Sequence, residues 1–106
     1  EGSVSNGLGY ALTEEFQHDG KGNTRNPSFL DYKMQTAIDT PTIVPVIVEE
    51  QSDFGPYGAK GAGEPSITVV AAAIANAVRD AVGVRVRECP VTPERVRRAL
   101  DQAARG

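Results

Sequence analysis

Apolar residues recur at helical spacing in three places along the chain. Val4, Leu8, Ala11, Leu12 and Phe16 share one face of a helix expected over residues 3–16. Ile67, Val70, Ala71, Ile74, Val78 and Val82 form a second stripe over 67–82, and Gly83 stands where a C-terminal cap belongs. A third helix opens at Thr92-Pro93-Glu94, which supplies an N-cap, a proline at the first helical position and an acid in the first turn. Its apolar face is Val96, Ala99, Leu100 and Ala103. Three other stretches carry strand signals. Thr42–Glu49 is β-branched nearly throughout, and Pro45 within it restricts that strand to a sheet edge or a bulge. Val84 and Val86 alternate with Arg85 and Arg87, and Phe29–Met34 reads as a further short strand. The pattern predicts an α+β fold, about three helices with a small mixed sheet.

Small residues sharpen this picture. Gly7 and Gly9 each cost the first helix roughly 1 kcal/mol relative to alanine. Close packing is the return, and the expected neighbour is something outside the chain. Ala72, Ala73, Ala75 and Ala77 flank the second stripe, which predicts burial of that helix on more than one side. Residues 17–28 carry turn chemistry. The loop from Glu50 to Glu64 is fifteen residues long, and loops of that length in small domains are functional or disordered. Its glycines at 55, 58, 61 and 63 favour function, because they allow something to approach the backbone. Glu64 directly precedes Pro65, so it is expected at a helix N-terminus, held in one pose.

The chain has 106 residues, one domain by length, with a net charge of −3. That balance excludes an electrostatic case for nucleic acid or an anionic membrane surface as partner. No apolar run approaches the roughly 20 residues of a membrane span, no signal-peptide pattern opens the chain, and Glu1 in place of Met suggests a processed piece; the expected location is cytoplasmic. Cys89, the single cysteine, reads as a small buried hydrophobe. His18 has no companions at metal-ligand spacing and reads as solvent-exposed. Arg95, Arg97, Arg98 and Arg105 read as a solvated rim. Lys60 sits among glycines, but Ala59 and Gly61 break the phosphate-loop pattern, leaving it a loop anchor or a charge at a pocket mouth. On the residues alone, Glu64 could be no more than a carboxylate favoured by a helix dipole, worth about 0.3–1 kcal/mol.

The stretch GPYGAKGAGEP, followed by AAAIANAVRDAVGVRV and a TPERV helix, resembles the C-terminal end of the molybdenum hydroxylases, the xanthine dehydrogenase and aldehyde oxidase family. NGLGYALTEEF and NPSFLDYKMQTAIDTP match the same family in the same order. The resemblance implies that residues 1–106 are the C-terminal part of the molybdopterin-binding domain of the large subunit, an incomplete domain. It implies that Glu64 is the general base acting on the molybdenum-bound hydroxyl while a heteroaromatic or aldehyde carbon is oxidised. Gly61, Ala62 and Gly63 would line the cofactor pocket, and no side chain here would ligate the metal. The implied cofactor is molybdopterin, whose forms in the family include the cytosine dinucleotide. Iron–sulfur clusters and FAD are expected on other domains or subunits. The implied partners are the rest of the large subunit, the iron–sulfur and flavin subunits or domains, and a small-molecule substrate. Pro65-Ser66 stands where the carbon monoxide dehydrogenases carry Gly-Gly, and Gln35 replaces a family proline. The family's cofactor-bonding glutamine would fall just before Glu1. The isolated chain is expected to be inactive, and the competing reading is a non-catalytic packing module.

Overall fold

Helix α1, Gly2–Leu12, is the piece to which the other segments attach. The structure, a computed structural model, describes all 106 residues. On α1 the smallest residues face inward, with Gly7, Leu8, Gly9 and Ala11 all buried. Helix α2, Val70–Val82, crosses there: a Cβ added to Gly7 would lie 2.7 Å from the Cβ of Val70. The neighbour that justifies Gly7 is therefore inside this chain, contrary to expectation. Side-chain bonds extend the same pattern. Ser5 and Thr40 share a hydroxyl–hydroxyl bond of 3.1 Å, and Thr13 donates to the Lys33 carbonyl at 2.7 Å.

The second helix starts later than its apolar stripe. Pro65–Ile67 forms a single 3₁₀ turn, and regular α geometry begins only at Val70. The β-branched run Ile67-Thr68-Val69-Val70 explains the delay, since crowding at χ1 weakens helix propagation. Pro65–Val82 reaches the length and composition of a borderline membrane span. Its regular part is 13 residues, about 20 Å at 1.5 Å per residue. Gly83 ends it with φ of 78°, the left-handed cap expected. Ala72, Ala73, Ala77 and Val82 are exposed, so α2 is covered on one side only within this chain.

Helix α3, Pro93–Ala103, begins as expected: Thr92 Oγ1 accepts the Arg95 N–H at 3.3 Å. Arg95 departs from its expected solvated position. It is half-buried, donates to Glu15 at 2.6 Å and to the Pro90 carbonyl at 2.7 Å, and faces Glu88 at 3.4 Å. The Val91 N–H adds a 2.6 Å bond to the Ala11 carbonyl, fixing α3 against the end of α1. Cys89 is exposed, while its neighbours Pro90 and Val91 take the buried positions.

No sheet forms, and the α+β expectation is corrected to a helical architecture. The sole β feature is one isolated bridge between His18 and Thr24. Phe29–Met34 is a turn, in which the Asp31 and Tyr32 N–H groups both reach the Ser28 carbonyl. Residues 41–50 and 84–88 make no backbone–backbone hydrogen bond. Strand propensity describes a residue that fits a pleated surface already built, and a lone segment has no ladder to join.

Nine of 106 residues are buried, and the accessible surface is 8557 Å². A self-contained protein of 11.2 kDa would expose about 5,700 Å². The radius of gyration is 17.7 Å, against about 13 Å for a compact domain of this length.

Candidate active site

The glycine loop is shaped by two tight turns before it reaches Glu64. Gly58 N–H bonds the Gly55 carbonyl at 3.0 Å and Ala59 N–H bonds Pro56 at 3.0 Å. A Cβ on Gly55 would strike the Ala59 carbonyl, and Gly58 has φ of 79°, so both positions require glycine for the turn itself. Tyr57 also carries a positive φ, 54°, with its ring fully exposed. Gly61 and Gly63 differ. Neither has a positive φ, and a Cβ at either would meet nothing within 4 Å. Nothing in this chain demands that those two residues be small.

Gly61 and Ala62 line an open cleft of about 640 Å³ together with Tyr57, Lys60 and Pro65, whereas Gly63 and Glu64 are not part of its wall. Lys60 stands 3.9 Å from Glu50, a loose exposed pair joining the two ends of the loop. That agrees with an anchor at the edge of the cleft.

Glu64 occupies the N-terminal end of the 3₁₀ turn, as its place before Pro65 predicted, although a full helix begins only later. Its backbone is held at two successive carbonyls. Ser3 Oγ donates to the Gly63 carbonyl at 2.6 Å, and Ile67 N–H bonds the Glu64 carbonyl at 3.1 Å. Its carboxylate caps no N–H, enters no ion pair and is exposed. The main chain is bonded on both residues while the carboxylate has no partner within this chain. Sequence reasoning missed Ser3, because a serine sixty residues from its partner leaves no local signal. It also missed Asn26, a buried amide that bonds Gln17 N–H at 2.9 Å and the Glu15 carbonyl at 2.7 Å.

No group of three or more His, Cys, Asp or Glu side chains is arranged to hold a metal. His18 is exposed and packs only loosely on Phe16, at 6.5 Å between ring centres.

Residues 1–41 match a family model described as molybdopterin cofactor-binding domain. Over 96 residues, 90% of the chain, it is 47% identical to the xanthine dehydrogenase molybdenum-binding subunit of Escherichia coli, covering 13% of that subunit. The chain belongs to the molybdenum hydroxylases. This molybdenum hydroxylase segment is also 40% identical over 98 residues to the 6-hydroxypseudooxynicotine dehydrogenase complex subunit gamma of Paenarthrobacter nicotinovorans, covering 90% of the chain and 12% of that subunit. Its backbone superposes on quinoline 2-oxidoreductase from Pseudomonas putida 86 with a TM-score of 0.86 and 31% identity, over 95% of the segment and 13% of that chain. The segment thus spans about an eighth of the curated subunits it matches.

Proposed function

We propose that this segment supplies the catalytic base and part of the pocket wall of a molybdenum hydroxylase that oxidises a heteroaromatic or aldehyde carbon. The observation that carries the reading is the pinned backbone and free carboxylate of Glu64. Gly61 and Gly63, with open space where a Cβ would stand, supply the second support: their smallness answers to something outside the chain. With Ala62 they would border the molybdopterin cofactor, which when bound supplies two-electron redox chemistry. Glu64 would accept a proton at its carboxylate, and the Ser3 bond to the Gly63 carbonyl holds the main chain from which that side chain projects. The reading assigns iron–sulfur and flavin groups to other domains or subunits, and the remaining pocket walls to the rest of the large subunit. A separate 106-residue chain, with one loop of the pocket, is then a packing module and not an enzyme.

Glu64→Gln in the complete enzyme tests this. The amide keeps size and polarity but cannot take the proton, so turnover should fall by about 10²–10⁴ with molybdenum content unchanged. A variant retaining more than roughly a tenth of wild-type turnover, a loss under 1.4 kcal/mol, would refute the assignment.

A further inference from the structure

Residues 41–50 run without helix, turn or bend, and no backbone group among them is hydrogen-bonded to another part of the backbone. Four of its apolar side chains are as unpartnered as the main chain: Val44, Val46, Ile47 and Val48 are 78% to 86% exposed. Apolar residues occupy both sides of the alternation, with Ile43 and Ile47 on one face and Val44, Val46 and Val48 on the other. A strand apolar on both faces is made for burial between layers. Pro45 adds direction. Successive N–H groups along a strand point to opposite edges, so Pro45 deletes a donor from the edge that carries the N–H groups of Ile43, Ile47 and Glu49. The edge carrying those of Thr42, Val44, Val46 and Val48 is complete.

We infer that residues 42–49 add as a β-strand to a sheet supplied by the rest of the same subunit, pairing through the Val44/Val46/Val48 edge. Two observations choose that occupant over a second copy of the chain. The segment spans only 13% of its relative's subunit, so in such a protein most of the polypeptide lies elsewhere. The same backbone path, over 95% of the segment, occurs inside the longer chain of quinoline 2-oxidoreductase. The pairing explains why the strand signal at Thr42–Glu49 is strong while no sheet exists among these residues. It also leaves the opposite edge short of a donor, which discourages a further strand from joining there.

Hydrogen exchange on the complete subunit, resolved to single residues by fragmentation mass spectrometry, tests the inference. The amides of Val44, Val46 and Val48 should exchange at least about 100-fold more slowly than an unstructured chain, and those of Ile43 and Ile47 within about tenfold of it. Unstructured rates throughout 43–49, equal protection of the two sets, or the inverse pattern would overturn it. Protection that disappears on hundredfold dilution would identify a second copy as the partner and overturn it equally. Val46→Pro, which removes a donor from the paired edge, should speed exchange at Val44 and Val48 by at least tenfold, whereas Ile47→Pro should leave both protected. Should Val46→Pro fail to fold, the wild-type pattern and Ile47→Pro decide the matter.

Discussion

Gly7 sits where a methyl group would meet Val70 at 2.7 to 3.0 Å through three of its carbons, Cβ included. A β-branched side chain cannot swing that carbon away, so Gly7→Ala must push α1 from α2. Overpacking of this kind costs about 1–3 kcal/mol, against a helix-propensity gain of roughly 1 kcal/mol. The net loss should appear as faster hydrogen exchange in α2; unchanged or slower exchange would show that the helices can part freely. Asp39 makes a second prediction. Its carboxylate accepts the Thr36 hydroxyl at 2.6 Å and the Thr36 N–H at 3.0 Å, and these bonds hold its pKa below the ordinary 3.8. A depressed folded value means the stabilisation is complete above 3.8 and is lost as pH falls through the folded value. Carbon-13 NMR of the Asp39 carboxyl should give a midpoint below 3.8, and a midpoint at or above it would remove the Thr36 bonds from the account.

At the scale of elements, the seam between α1 and α3 hangs on one guanidinium. Arg95 reaches Glu15, Glu88 and the Pro90 carbonyl, and its positive charge is stabilised first by the Glu15 hydrogen bond. Arg95→Met keeps the length of the stem and removes the donors. A loss of about 1.5 kcal/mol, the lower end for a hydrogen bond to a charged group, would open the seam a little over tenfold more often. The Val91 amide, bonded to Ala11 across that seam, should therefore exchange about tenfold faster, and an unchanged rate would reduce Arg95 to a spectator. Arginine spacing on α3 suggested only a solvated rim, since Arg95 differs from Arg97 and Arg98 by what lies eighty residues away. The helices themselves were legible because caps and periodicity are local: Thr92, Pro93 and Gly83 each stand where they were expected. The sheet was misread because a ladder is a property of two segments, and Thr42–Glu49 has no second one here. For the site, Glu64 at a turn N-terminus was readable from Pro65, whereas the Ser3 anchor was not.

The whole molecule has the surface of a part. It exposes 8557 Å², about half as much again as the roughly 5,700 Å² expected for its mass. The separate 106-residue chain should consequently melt without the sharp transition of about 70 kcal/mol that a two-state domain of this length shows. It should also carry no stoichiometric molybdenum, because one loop with its two ends, within residues 48–66, is all the wall it brings to the cleft. Calorimetry and elemental analysis check both, and either a sharp endotherm or one metal per chain would contradict the expectation. The bond from Val91 back to Ala11 has a consequence in time as well. A ribosome adds about 5–20 residues per second, so the end of the first helix waits roughly 4 to 16 seconds for the stretch that covers it. Val70 follows Gly7 by 63 residues, so during synthesis the glycine face stands uncovered for a slightly shorter interval of its own.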